Sequence, residues 1–282
     1  MANAVAAVSR GQKLLYGAVF VLAAWVGAWG FFAPAQVEWA LPWPVPPLHA
    51  RFLGAMYFSG ATFMVGALLA RHWSSIRVVV PMISLWTGTL FVVSLFYLPT
   101  FDFGRPQAWI WFAAYVVFPI AAAWIAWRMR SNADRGGGPS LPAGLRAYLT
   151  LQGAAVTLLA AGLLLFPGTA VRLWPWAISP LLTQMYGAPF LSYGLGSLYA
   201  ARQSTRSEVL LFLVGTLVFA VGVLVASVLH LSLFAPASPS ARVWFGGFGL
   251  AALALAAWSL PPLWYRRDHN AVASAGREAG RT

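Results

Sequence analysis

The sequence predicts an all-α integral membrane protein of eight transmembrane helices, built as two parallel four-helix repeats with both termini cytoplasmic. Three observations predict it. The 282 residues are 60% hydrophobic and 9% charged, against about half and about a quarter in an ordinary soluble domain. Eight apolar runs reach the ~20 helical residues that cross a hydrocarbon core of about 30 Å. The two halves share a pattern at a constant offset of 133 residues. The same composition excludes a disordered chain, which is poor in apolar residues.

The runs cover 14–32, 50–70, 78–98, 108–127, 147–166, 182–200, 209–234 and 243–265. Helices are predicted because a backbone in hydrocarbon must satisfy its own hydrogen bonds, and barrel strands are shorter and alternating. The first run follows Arg10 and Lys13 and ends in Ala33-Pro34-Ala35, which imitates a signal peptide and its cleavage site. It is longer than a signal core and has a counterpart deep inside the chain. It is therefore read as the first span.

The chain carries 18 Lys+Arg against 6 Asp+Glu, net +12. In a soluble protein that balance suggests nucleic acid. Here it records topology. Arg51, Arg105, Arg172 and Arg242 flank the loops after the odd-numbered spans, and the other fourteen basic residues lie on the opposite side. By the positive-inside rule the fourteen face the cytoplasm. The expected location is the bacterial cytoplasmic (inner) membrane, with the lipid bilayer, and other membrane subunits, as partners and no nucleic acid. The chain has no Cys, so a single cysteine at Ser238 or at Asn132 reports the sidedness to an impermeant reagent.

The predicted organisation is a tail at 1–13, a first repeat at 14–130, a linker at 131–144, a second repeat at 145–265 and a tail at 266–282. The linker is rich in Arg, Gly, Pro and Ser. At the offset of 133, Pro34 aligns with Pro167, Pro42-Trp43 with Pro175-Trp176, Pro47-Leu48 with Pro180-Leu181, and Gly54-Ala55 with Gly187-Ala188. Pro99 and Arg105 find a similar pair in Pro236 and Arg242. Each repeat has an even number of spans, so both halves insert the same way. That implies parallel repeats, not inverted ones.

Leu41-Pro42-Trp43, Pro47-Leu48 and Arg51, with Trp174-Pro175-Trp176 and Pro180-Leu181, form paired outer motifs. They resemble a family of uncharacterised multi-spanning membrane proteins of GC-rich bacteria. The resemblance covers two outer loops and the starts of the second and sixth spans. The second copy has Gln184 where the first has Arg51. The family implies architecture and no activity.

Candidate site residues fall into two groups. The second span offers Tyr57, Ser59 and Thr62; the sixth offers Tyr186, Ser192, Tyr193 and Tyr199. Small and hydroxyl residues let helices approach and hydrogen-bond, and Pro189 is expected to kink the sixth span. Interrupted segments at matching places in two repeats point either to plain packing or to a central cavity. The second group is an outer rim of Trp39, Trp43, Glu38, His49, Arg51, Asp102, Trp174, Trp176 and His230. Pro34 and Pro167 open short interfacial helices. The Trp residues are expected at headgroup level. Asp102 and Arg105 are expected to pair locally, and the seventh span, almost wholly Leu, Val, Ala and Phe, to face lipid.

Ionisable groups within a bilayer cost about 2.5–3.5 kcal/mol or more each. All six acids (Glu38, Asp102, Asp134, Glu208, Asp268, Glu278) lie in loops or at helix ends, which argues against a proton pump. His49 and His230 come from separate spans without a ligand-spacing motif, so no metal, haem or other cofactor is expected. No zinc-protease, P-loop, nucleophile-elbow or dinucleotide motif occurs. The leading expectation is a non-enzymatic accessory or scaffold subunit. One rival is a permease for a small apolar or amphiphilic solute passing between the second and sixth spans. The other is a redox or lipid-modifying enzyme using the outer His/acid cluster.

Overall fold

A computed structural model describes residues 7–131, 138–235 and 237–260. It is helical, with no strand among the described residues. Among the described residues nine α-helices follow in order: α1 (Arg10–Phe32), α2 (Pro47–Leu69), α3 (Val79–Phe96), α4 (Pro106–Met129), α5 (Ala143–Leu165), the seven-residue α6 (Pro167–Leu173), α7 (Pro180–Ala200), α8 (Arg206–Leu229) and α9 (Pro239–Ser259). Five of them begin on proline: α2, α4, α6, α7 and α9. At the first helical position its fixed φ is preorganised and its missing N–H is not needed. Ser9 with Gln12, and Thr205 with Glu208, form capping boxes on α1 and α8.

Seven of the helices are long and apolar enough to cross a membrane: α1 to α5, α8 and α9. The chain is thus a multi-pass membrane protein. Eight such spans were expected, and the helix that falls short on hydropathy is α7. It has the length, 21 residues, but carries Thr183, Gln184, Ser192 and Ser197. It places 14 of its residues in the protein interior, and it continues as a helix through Pro189. A span that faces protein on most sides has no need of an apolar surface.

The helices pack in matched pairs: α1 on α2 and α5 on α7, α3 on α4 and α8 on α9. Two crossed contacts join the halves, α2 on α8 and α3 on α7. Thus α2, α3, α7 and α8 form the centre. About half of the apolar stretch is buried in α2, α3 and α8, against 17–28% in α1, α4, α5 and α9. The expectation that the seventh span faces lipid is therefore corrected. That span is α8, which lies against α2 and buries Phe212, Gly215 and Phe219. Uniform hydropathy describes a core helix as well as a lipid-facing one.

Two backbone bridges tie the basic end of the bundle. Val8 N–H donates to the Arg71 carbonyl (3.1 Å), and Leu141 N–H to the Ser204 carbonyl (2.9 Å). These residues are 133 apart. Asn132, Pro236 and residues 261–282, with the tail Arg266-Arg267 and His269, lie outside the described residues.

Candidate functional site

The Trp loops fold as predicted in outline. A 3₁₀ helix covers Pro34–Trp39 and α6 covers its counterpart. Trp39 is 61% exposed, in keeping with an interfacial anchor. Trp43 and Trp176, unlike Trp39, are buried within the protein. Trp43 meets Trp111 edge-on at 4.8 Å and Phe101 at 5.3 Å. Trp176 meets Trp244 at 4.8 Å and Phe234 at 5.1 Å. The indoles of Trp111 and Trp244 each donate to a serine hydroxyl, Ser94 and Ser227, at 2.9 Å. Those hydroxyls in turn donate to the carbonyls of Leu90 and Val223. Edge-to-face ring contacts hold both indoles inside the protein. Trp174 is half-buried beside Trp176, Tyr186 and Trp244.

The hydroxyls of α2 and α7 meet across the centre. Tyr193 donates to Ser59 (2.6 Å), and Ser59 donates to the Gly215 carbonyl (2.6 Å). Ser192 donates to the Met82 carbonyl at 2.9 Å. Tyr57 and Tyr115 share a bond of 2.5 Å. Thr62 bonds its own helix at Phe58, and Tyr199 is exposed. Tyr186 reaches His49, whose Nδ1 lies 2.6 Å from the tyrosine hydroxyl, while Nε2 lies 3.0 Å from the Ala177 carbonyl. A carbonyl only accepts, so Nε2 carries a proton; in the neutral ring Nδ1 accepts from Tyr186.

A second pair of contacts crosses between the halves at the Trp-loop end. Arg51 Nε donates to the Phe31 carbonyl (3.2 Å), and its Nη1 reaches His230 Nε2 at 2.5 Å. In the other half, Gln184 Nε2 donates to the Leu164 carbonyl (2.7 Å) and its oxygen accepts from the Tyr97 hydroxyl (2.7 Å). Every residue here is 133 from its counterpart, yet one latch is cationic and the other neutral. His230, just beyond α8, has its pKa pushed below the ordinary imidazole value by burial and then by the Arg51 charge.

A cavity of about 10 Å³ lies between Leu41, Leu53, Tyr57, Trp86, Met185 and Pro189. That is room for about one water molecule. The counterparts of Leu41, Leu53 and Met185 are the larger Trp174, Tyr186 and Phe52. Those rings pack together, with Phe52 4.3 Å from Tyr186 and 5.6 Å from Trp244.

The polar residues of the expected outer rim disperse. Asp102 accepts from Gly104 N–H (2.9 Å), whereas the Arg105 guanidinium donates to the Glu38 carbonyl. The expected local Asp102–Arg105 side-chain pair is not made; a two-residue turn and a neighbouring carbonyl satisfy the partners instead. His49 and His230 take different partners, and no group of three metal-ligating side chains occurs among the described residues. Sequence reasoning missed the ion pair of Arg77 with buried Glu208 (3.3 Å). Glu208 also accepts from the Ser204 and Thr205 N–H groups at 2.9 Å. The Thr205-x-x-Glu208 capping-box pattern was the available signal. No protein-family model, curated protein or solved structure matches the chain.

Proposed function

We propose that the chain is an eight-span bacterial inner-membrane protein of two parallel four-helix repeats, serving as a non-enzymatic accessory or scaffold subunit. In this reading α7, the sixth in chain order, completes the set of eight spans and is enclosed by its neighbours. The recurrence of backbone bridges, Trp–Ser bonds and crossed latches at residues 133 apart supports the repeat. Two helix-level contacts of the form α2 on α8 and α7 on α3 support a twofold relation along the membrane normal. The excess of basic residues at the α1 end supports termini in the cytoplasm.

One observation carries the scaffold reading. The central helices are locked by aromatic contacts and interhelical hydrogen bonds around a space of only about 10 Å³. Such an interior suits a rigid body that presents surfaces. Purification in mild detergent tests this. A membrane partner retained at fixed stoichiometry supports it. A monomer whose melting temperature rises saturably with a small apolar solute points instead to the permease reading. The observation favouring that second reading is the cavity itself, which touches Tyr57 on α2 and Pro189 on α7. Cysteine labelling tests the topology. A cysteine at Ser238 should react from outside and one at Asn132 only after permeabilisation; the reverse pattern rejects the orientation.

A further inference from the structure

The two halves differ most at the basic end. In the second half, the start of α5 is closed by the end of α9. A Cβ placed on Gly144 would meet the Trp258 ring at 3.5 Å. Arg206 holds that end by donating to the carbonyls of Trp258 (2.7 Å) and Leu260 (2.6 Å). Arg146 is likewise spent on the carbonyls of Ala201 and Gln203.

In the first half the counterparts are Gly11, Ile125 and Lys13. A Cβ on Gly11 would meet nothing within 4 Å. A groove of about 630 Å³ runs between α1 and α4, walled by Gly11, Leu15, Ala121, Trp124, Ile125 and Arg128. Its size falls within the range of about 300–1,000 Å³ typical of ligand pockets. The walls are mainly apolar and no carboxylate lines them. The Arg128 guanidinium lies over Trp124, 4.8 Å from the ring centroid. The side chains of Arg128, Arg10 and Lys13 make no hydrogen bond or ion pair among the described residues. Arg128 is on the wall, and Arg10 and Lys13 flank the wall residues Gly11 and Gln12 in sequence. An apolar slot with an arginine on its wall beside a basic helix start, on a membrane-spanning bundle, matches one kind of molecule: an acyl chain carrying an anionic headgroup.

We propose that the α1/α4 groove is a binding site for an anionic phospholipid, with the acyl chain along Leu15, Ala121 and Ile125 and the phosphate held by Arg128 and the basic start of α1. The site goes beyond the scaffold reading and does not depend on it. Native mass spectrometry of the full chain, released from detergent with phosphatidylglycerol or phosphatidylcholine added, tests it. One phosphatidylglycerol should bind in preference to phosphatidylcholine. Arg128→Gln should weaken that binding about five-fold. Gly11→Leu fills the slot where the structure has open space, so it should abolish the adduct while the melting temperature holds. Equal retention of the two lipids, or a phosphatidylglycerol adduct undiminished in folded Gly11→Leu, overturns the proposal. If Gly11→Leu unfolds, Ile125→Trp, which copies Trp258, replaces it with the same two outcomes.

Discussion

Leu41, Leu53 and Met185 border a space for one water beside Trp43, whereas their counterparts Trp174, Tyr186 and Phe52 pack ring on ring beside Trp176. At the opposite end the relation holds again: Trp258 closes over Gly144, while Gly11 faces an open groove. The backbone contacts that recur at residues 133 apart are the same in both halves. What differs is side-chain volume and charge. The second half packs rings against rings and binds Arg146 and Arg206 to carbonyls; the first has a groove, the arginine of the cationic latch and an Arg128 that meets only a ring. The comparison assigns architecture to the shared contacts and individuality to the exceptions.

The largest expected effect comes from making the filled half resemble the open one. Tyr186→Leu installs the residue found at position 53. It removes a buried ring and leaves Nδ1 of His49 without its donor. Together the lost packing and the stranded polar atom should cost about 3 kcal/mol. Unfolding midpoints in mixed micelles measure it. A cost below about 1 kcal/mol would mean that the aromatic cluster is not what holds this half.

The helix crossings give the next contrast. In the first half α1 and α2 meet backbone to backbone: a Cβ on Gly54 would lie 2.6 Å from the Phe31 nitrogen. In the second half a Cβ on Gly187 would meet the Leu164 side chain, also at 2.6 Å. A leucine can change rotamer; a helix backbone cannot without separating the pair. Gly54→Ala should therefore cost about 2–3 kcal/mol and Gly187→Ala about 1 kcal/mol or less. Equal losses would show that the second crossing is as rigid as the first.

Where the halves agree, substitutions should agree too. Trp111→Phe and Trp244→Phe each remove an indole donor from a serine hydroxyl. Interhelical hydrogen bonds in membranes contribute about 0.6–1.7 kcal/mol, so each variant should lose about 1 kcal/mol, within error of the other. A difference of more than about 1 kcal/mol would break the equivalence of the two Trp–Ser pairs.

Much of the architecture was legible because it lives in local pattern. Apolar runs marked the long helices, proline marked their starts, and Pro-Trp and Pro-Leu marked the offset. The misread features depend on what lies opposite a residue. The hydropathy of α8 did not reveal that α2 covers it. The burial of Trp43 and Trp176 was hidden because nothing local announces Trp111 and Trp244, 68 residues away in each half. Among the site residues, Ser59, Tyr186 and Tyr193 were named for their hydroxyls, and the structure joins them to His49 and each other. The side-chain partners of Arg51 and Gln184, His230 and Tyr97, were hidden because they come from the opposite half. Arg51 and Gln184 were visible as unlike residues at one aligned position, which was the clue that the latch is asymmetric.

That latch supplies the smallest and most specific prediction. Arg51 donates to a neutral His230. A proton on that ring would remove the acceptor and set two cations together. Because the folded-state pKa lies below the unfolded value of about 6.5, the unfolded chain binds the proton more readily as pH falls. Stability from this pair is complete above about pH 6.5 and declines as the pH drops below it. The second half performs the same crossing with Gln184 and Tyr97, neither of which gains a positive charge in that range. The double variant Arg51→Gln with His230→Tyr transplants the neutral pair. It should fold, match the parent near pH 8, and lose less stability between pH 7 and pH 5, read as melting temperatures in detergent. An identical acid slope in parent and double variant would place the acid sensitivity elsewhere and leave the cationic latch a structural bond only.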